Sequence, residues 1–190
     1  MASMILQSER LILRPIQRGD EGDLFLYQSD PETVRFIPWP ARTRDQVLEA
    51  VDKAVAAKSF EKDGDFALFV WVLKETGQVI GQSNIRIEST EHKRGEIGWV
   101  ANPLFTRRGL ASEAIRLVFD FAFGSCDFNK IVAYIDTRNG KSIGLATKLG
   151  MRREAEYRED EFCKGEWIDA YLYAILKREW EISGQSKAII

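Results

Sequence analysis

Between Glu96 and Ala114 the chain reads Glu-Ile-Gly-Trp-Val-Ala-Asn-Pro-Leu-Phe-Thr-Arg-Arg-Gly-Leu-Ala-Ser-Glu-Ala. An apolar strand pattern, Glu96 to Ala101, runs into a basic turn holding a glycine, and the turn opens directly into a helix pattern. The first N–H groups of a helix have no partner within it, and the helix dipole is positive at that end. A turn of this kind seats an anion, above all a phosphate. Other chemistries find little support. The lone histidine, His92, sits in the polar turn Glu91-His-Lys-Arg-Gly95 and cannot supply a multi-histidine metal site. Cys126 and Cys163 form no CxxC or other metal spacing and read as small hydrophobes, so no metal is expected.

The elements that would hold the turn follow from pattern. Residues 4–16 read as a strand centred on Leu11, Ile12 and Leu13. Gly19-Asp-Glu-Gly22 is a turn that can start a short helix through Tyr27, and Ser29 to Pro40, with three prolines, is an irregular segment carrying large aromatics. Thr43-Arg-Asp-Gln46 has capping-box spacing, and Val47, Val51, Ala54 and Val55 recur behind it at helical spacing to about residue 60. Phe66 to Leu73 is an apolar run that suits a strand covered on both faces. Next, Val79, Ser83, Ile85 and Ile87 alternate with Gln82, Asn84, Arg86 and Glu88, the period of a half-exposed strand. Up to Ala101 the pattern is an antiparallel meander.

The helix after the turn has an apolar face of Leu110, Ala111, Ala114, Ile115, Leu117, Val118, Phe121 and Ala122, with Ser112, Glu113, Arg116 and Asp120 opposite. Gly124 closes it and Ile131 to Ile135 is the next strand, so strand, helix and strand form a parallel right-handed crossover. Asn139-Gly-Lys-Ser142 is a turn that caps a second helix, Ile143 to Leu149. A polar strand over 151–159, a turn at Phe162-Cys-Lys-Gly165, a last strand over 167–176 and a frayed tail over 181–190 complete the chain.

With 190 residues, 45% hydrophobic and 29% charged, the chain suits one domain spanning 1–190 with a sizeable core. Twenty-seven basic against 29 acidic residues leave a net charge of −2, which speaks against a general nucleic-acid binder. No signal-peptide pattern and no membrane-length apolar run is present, so the cytoplasm is the expected compartment and no membrane partner is expected.

The runs Glu96 to Ala114 and Asn139 to Met151 resemble the two signature motifs of the GNAT superfamily of N-acetyltransferases. The opening Gln7-Ser-Glu-Arg-Leu-Ile-Leu-Arg-Pro15 and the closing Trp167-Ile-Asp-Ala-Tyr-Leu-Tyr173 with Arg178-Glu-Trp180 resemble its RimJ/RimL-like branch. That branch includes enzymes that acetylate the N-terminal amine of ribosomal proteins and many that act on small molecules. The likeness extends over about residues 5–180. It implies an α/β (α+β) fold with a mixed, mostly antiparallel sheet of about seven strands and about four flanking helices. A central parallel pair would splay apart around acetyl-CoA.

The resemblance also implies roles. The pantetheine arm would pair with Trp99, Val100 and Ala101, and the pyrophosphate would rest on the backbone N–H groups of Thr106, Arg107, Arg108, Gly109, Leu110, Ala111 and Ser112. Gly109 and Ala111 match the family pattern, whereas Thr106 replaces a leading Gln or Arg and Arg107 stands at a frequent glycine. Asn139 matches an asparagine whose amide holds the pantetheine; otherwise it is a plain N-cap.

Acetyl transfer to an amine needs a base for the ammonium proton, a donor for the tetrahedral oxyanion and an acid for the leaving thiolate. Glu96 is the candidate base, sharing a strand face with Gly98 and Val100; its other reading is a salt-bridging surface carboxylate. By resemblance the oxyanion donor is a backbone N–H near Val100. The family tyrosine that often acts as acid falls on Ala146 here, and Ser142 is the substitute in the RimL-like branch. Ser142 reads equally as a second capping hydroxyl. Arg35, Phe36 and Trp39 are candidate walls of the acceptor pocket, and Asp169 either joins them or hydrogen-bonds a neighbouring loop. Direct transfer to a primary amine is the leading expectation, on a peptide N-terminus or a small molecule. The rival is a non-catalytic acyl-CoA sensor, and the oligomeric state is open, a homodimer included.

Overall fold

The computed structural model describes residues 4–56 and 60–184. It begins with a hairpin, β1 (Leu6–Gln7) and β2 (Leu11–Pro15), where the sequence pattern predicts one strand. Ser8 makes the break: its amide donates to the Leu11 carbonyl at 3.0 Å, and its Oγ accepts from the Leu11 N–H at 3.1 Å. Helix α1 (Glu21–Gln28) is followed by a stretch of turns and then α2 (Arg44–Ala56). The capping box at α2 is reciprocal, with the Thr43 N–H on Gln46 Oε1 at 2.9 Å and the Gln46 N–H on Thr43 Oγ1 at 3.3 Å. The expected run of this helix to residue 60 falls partly on residues 57–59, which lie outside the described residues.

Strands β3 (Phe66–Leu73), β4 (Val79–Ser89) and β5 (Arg94–Ala101) continue the antiparallel meander. A single 3-10 turn, Pro103–Phe105, leads to α3 (Leu110–Gly124). Then come β6 (Lys130–Asp136), α4 (Gly140–Lys148), the hairpin β7 (Arg152–Cys163) and β8 (Glu166–Leu176), and α5 (Lys177–Ile182). The eight strands form one sheet in the order β1-β2-β3-β4-β5-β6-β8-β7, with β5 and β6 the parallel pair. This is the α/β architecture expected, with one more strand and one more helix than the sequence suggests. The added strand is the split of the opening one. The added helix is α5, which takes in Glu181 and Ile182 from the expected frayed tail; residues 185–190 lie outside the described residues.

Alternation along the strands gives the sheet two apolar faces. Phe69 and Trp71 of β3 join Leu11, Leu13, Ile85, Ile97 and Ile131 under Ala114, Ile115 and Val118 of α3. Val70 and Val72 turn the other way, with Val79 and Val100, against Leu24 and Tyr27 of α1 and Val47 and Val51 of α2. Two side chains expected on the open face of α3, Ser112 and Asp120, are inside instead. Asp120 is 6% exposed and its Oδ1 accepts the indole N–H of buried Trp180 at 2.8 Å, which ties α5 to α3.

Candidate active site

The parallel ladder between β5 and β6 covers only Arg94–Lys130, Gly95–Ile131 and Glu96–Val132. Beyond it, among the described residues, β5 keeps β4 alone as partner and β6 keeps β8 alone. The two strands therefore part at Glu96 and leave a gap toward their carboxyl ends. In open α/β sheets a ligand site forms at such a divergence, outside the carboxyl ends of the strands. Each diverging strand leads into a helix N-terminus, α3 after β5 and α4 after β6.

At the first of these ends the Glu113 N–H is bonded to the Gly109 carbonyl at 3.1 Å, which leaves the Leu110, Ala111 and Ser112 amides ahead of the helical ladder. Gly109 has φ 78° and Arg107 φ 62°, so Arg107 takes the left-handed backbone that a glycine would adopt more easily. Ser112 Oγ is buried without a hydrogen-bond partner among the described residues. Free amides, two arginines and an orphaned hydroxyl fit a phosphate group. Thr106 differs from its neighbours: its N–H and its Oγ1 both donate to the Pro103 carbonyl, at 3.3 and 2.8 Å. The turn is held from behind. Glu113 accepts from Ser8 Oγ at 2.6 Å and from Arg10 Nε at 2.8 Å, and Arg10 Nη1 donates to the Arg108 carbonyl at 3.0 Å.

At the second end Asp136 shapes the turn that presents Asn139. Its Oδ1 accepts from the Arg138 N–H at 2.9 Å, its Oδ2 from Arg138 Nη2 at 2.7 Å, and its carbonyl from the Asn139 N–H at 2.9 Å. Asn139 Oδ1 caps α4 by accepting the Ser142 N–H at 3.1 Å, so its Nδ2 group is the part left to bind. Ser142 Oγ accepts the indole N–H of Trp99 at 3.3 Å, bridging the gap between the two strands. That bond leaves the Ser142 hydroxyl proton free to donate elsewhere. Ala146 is fully buried in the core, so this helix offers no acid at that position.

From the gap a cleft of about 610 Å³ opens toward the α1–α2 side of the sheet. Its floor is polar: Gln82, Asn84, Arg86 and Glu88 of β4, Glu96 of β5, and Tyr134 of β6. Glu96 and Arg86 are paired across adjacent strands, with Arg86 Nη1 3.3 Å from Glu96 Oε2. Burial raises the Glu96 carboxyl above its ordinary value; Arg86 pulls it back down, and Glu88 pushes it further up. A half-buried carboxylate with an elevated pKa, facing a cleft, has the makings of a general base. Tyr134 OH donates to Glu88 Oε1 at 3.3 Å, and burial, followed by the Glu88 charge, pushes the phenol up to about 12.

The segment between α1 and α2 roofs the cleft with Arg35, Phe36 and Trp39. It is clasped from both sides. The tip of the β7–β8 hairpin is a two-residue turn, Lys164 and Gly165, with φ 52° and 88°, as a type I′ turn requires. From there Lys164 Nζ donates to the Val34 carbonyl at 2.6 Å and the Arg35 carbonyl at 3.3 Å. On the other side Arg42 stacks on Trp39 at 4.1 Å and donates to Gln28 Oε1 at 2.8 Å. Gln28 in turn donates to Gln82 Oε1 at 2.8 Å, which links roof to floor.

The structure thus gathers Glu96, Trp99, Val100, Asn139, Ser142, Arg35, Phe36 and Trp39 around one cleft. Asp169 does not line it. The neighbours Ile168 and Ala170 do, and strand alternation turns Asp169 to the other face, where its Oδ1 accepts the Glu159 N–H at 2.8 Å. That bond supports a bulge in β7, where Glu159 has φ 49° and the register shifts between Tyr157 and Glu161. Of the two readings open for Asp169, acceptor-pocket wall or hydrogen bond to a neighbouring loop, its bond resembles the second, with the bulge of strand β7 as the partner instead of a loop. The β4 floor residues and Tyr134 were not foreseen as site residues. Their signal was present in the polar face of β4, which is the antiparallel neighbour of the strand bearing Glu96.

Residues 10–152 match the family described as the acetyltransferase (GNAT) domain. Among curated relatives, the uncharacterized N-acetyltransferase p20 of Bacillus licheniformis is 33% identical over 92% of this chain and 97% of its own length. The spermidine N(1)-acetyltransferase of Escherichia coli K12 is 23% identical over 88% and 87%. A GNAT-family acetyltransferase from Bacillus anthracis superposes with a TM-score of 0.82 at 29% identity, covering 92% of this chain and 99% of that one. The parted strands and the helix ends beside them accordingly have a family: the chain is a member of the GNAT acetyltransferases.

Proposed function

We propose that this enzyme moves an acetyl group from acetyl-CoA directly to a primary amine, either a protein N-terminus or a small molecule, as one catalytic domain in the cytoplasm. The observation that carries this reading is the parting of β5 from β6 at Glu96, with the candidate base at the fork. The amides from Arg107 to Ser112 seat the pyrophosphate, with Thr106 at the rim. Trp99, Val100 and Ala101 flank the pantetheine, and Asn139 Nδ2 binds it. Glu96 takes a proton from the acceptor ammonium. The freed nitrogen attacks the thioester carbonyl and an N–C bond forms. As the tetrahedral adduct collapses, the C–S bond breaks with its electron pair leaving on sulfur. The extra proton on nitrogen passes to that sulfur, giving the neutral amide and the free thiol. The Ser142 hydroxyl, which already accepts from Trp99, donates to that sulfur. The sequence shows no suitably placed nucleophile with a base partner, which favours direct transfer over a covalent enzyme intermediate. Arg35, Phe36 and Trp39 wall the acceptor pocket. The opening and closing motifs of the RimJ/RimL-like branch favour an N-terminal amine, and similarity to a spermidine acetyltransferase favours a polyamine.

Free-thiol release from acetyl-CoA, followed against pH with spermidine and with a peptide bearing a free N-terminal alanine, tests the reading. In the wild type, turnover is lost as pH falls through the raised pKa of Glu96, because only the carboxylate accepts a proton. Glu96→Gln removes most turnover near neutral pH and keeps acetyl-CoA binding. Arg86 lowers the Glu96 pKa, so Arg86→Met moves the acid limb to higher pH. An unmoved limb in Arg86→Met together with full turnover in Glu96→Gln would assign the base elsewhere. Tight acetyl-CoA binding without thiol release on any amine would make the protein a sensor.

A further inference from the structure

The four polar side chains that β4 sends to the cleft floor are not equivalent. Gln82 Oε1 accepts from Tyr27 OH at 3.1 Å and from Gln28 Nε2 at 2.8 Å. Arg86 is paired with Glu96, and Glu88 is held by Arg94 at 2.7 Å. Asn84 is the exception: its carboxamide lines the cleft and has no hydrogen-bond partner among the described residues. A half-buried amide left unpaired forgoes bonds that water or a ligand must supply.

Its placement depends on the residue opposite. Asn84 pairs in register with Gly98 of β5, and a Cβ at position 98 would fall 2.7 Å from Asn84 Oδ1. The carboxamide therefore lies across β5 in space that any other side chain at 98 would claim. Gly98 has no positive φ and lies within a regular antiparallel ladder, so the backbone itself does not demand glycine there. Along that face Gly98 comes between Glu96 and Val100, so the amide lies over β5 just past the fork, beside the candidate base.

We propose that Asn84 binds the acceptor amine, its Oδ1 accepting an N–H from the nitrogen while Glu96 takes the proton, so that the lone pair is turned toward the thioester. Gly98 serves this contact by leaving room for the carboxamide. The proposal rests on the acetyl-transfer reading above. A carbonyl oxygen accepts from an ammonium and from a neutral amine alike, so Asn84 holds the nitrogen on both sides of the proton transfer.

The test is a double-mutant cycle of Asn84→Ala and Gly98→Ala. It is read by thiol release with spermidine and with the N-terminal alanyl peptide, and by acetyl-CoA affinity measured separately. Asn84→Ala lowers kcat/KM for the acceptor about tenfold or more, as loss of one hydrogen bond to a charged group does, and leaves acetyl-CoA affinity unchanged. Gly98→Ala displaces only the far end of a side chain, so the protein still folds and shows a similar loss. The double variant is no worse than either single one, because both remove the same contact. Equal losses from Gly98→Ala with and without Asn84, or an unchanged acceptor kcat/KM in Asn84→Ala, overturn the assignment while transfer by the wild type still stands. A wild type that transfers to neither probe nor to any other amine overturns the transfer reading and this proposal with it.

Discussion

Replacing Lys164 by Met tests how the roof of the cleft is held. The ammonium reaches two carbonyls of the roofing segment, Val34 at 2.6 Å and Arg35 at 3.3 Å, from a hairpin on the far side of the chain. Methionine keeps most of the aliphatic stem and deletes the charge. A hydrogen bond from a charged donor contributes about 1.5–3 kcal/mol when sheltered, but Lys164 is a solvent-exposed residue, so about 1 kcal/mol is the expected net loss. Spent wholly on the closed position of the roof, that amount shifts its population about fivefold. The acceptor KM should therefore rise up to about fivefold, while acetyl-CoA affinity and melting temperature hardly move. Thiol-release kinetics with varied acceptor at saturating acetyl-CoA supply the first number. Amide hydrogen exchange over residues 29–42 reports the loosening directly. Faster exchange there with an unchanged acceptor KM would refute the reasoning, since the roof would then open without touching the acceptor pocket.

Two further substitutions separate structure from binding. Asn139→Ala removes both the cap on α4, worth about 1 kcal/mol, and the amide proposed to hold the cosubstrate. Asn139→Asp keeps the capping oxygen and loses only the amide donors. Melting curves and acetyl-CoA affinities should show the alanine variant weakened in both and the aspartate variant in binding alone; tight binding by the aspartate variant would remove Asn139 from the site. Gly81→Ala should lower stability by about 1–3 kcal/mol in a urea melt through overpacking. Its Cβ would fall 2.4 Å from Trp71 Cε3 and 3.0 Å from the Val100 carbonyl, and Trp71 is held by its bond to Ser83 Oγ at 3.0 Å. A melt indistinguishable from wild type would show that the ring has room to turn.

Periodicity made most of the elements legible. The strand at β3, the capped helix α2 and the crossover through α3 each rest on local pattern, and local pattern is what a sequence displays. The splitting of β1 from β2 depended on one serine hydroxyl bonding its own backbone, which apolar spacing does not register. The buried position of Asp120 depended on Trp180, 60 residues later in the chain, and no helical wheel contains that partner. The candidate site divided in the same way. The basic turn before α3 and the Asn139 turn before α4 lie on contiguous motifs, so their positions at the two helix ends were legible. The cleft beyond the fork is assembled from the alternate face of β4, the middle of β6 and a loop clasped by a distant hairpin, so only strand register brings it together. Asp169 shows the limit on a single residue. Its neighbours on the strand face the cleft, and alternation alone sends it away.

The contacts of Ser8 and Arg10 with Glu113 join residues 105 and 103 positions apart. Closing so long a loop is entropically expensive, and here the closure fixes the first turn of α3 and, through the Arg108 carbonyl, the basic turn before it. Seat and chain start therefore form one thermodynamic unit. Whatever free energy the docked hairpin lends to an anion on the turn, the bound anion returns to the docking of the hairpin. Occupancy of the seat is thereby felt at β1 and β2, and any change that frays that hairpin is a change in the affinity of the turn for an anion.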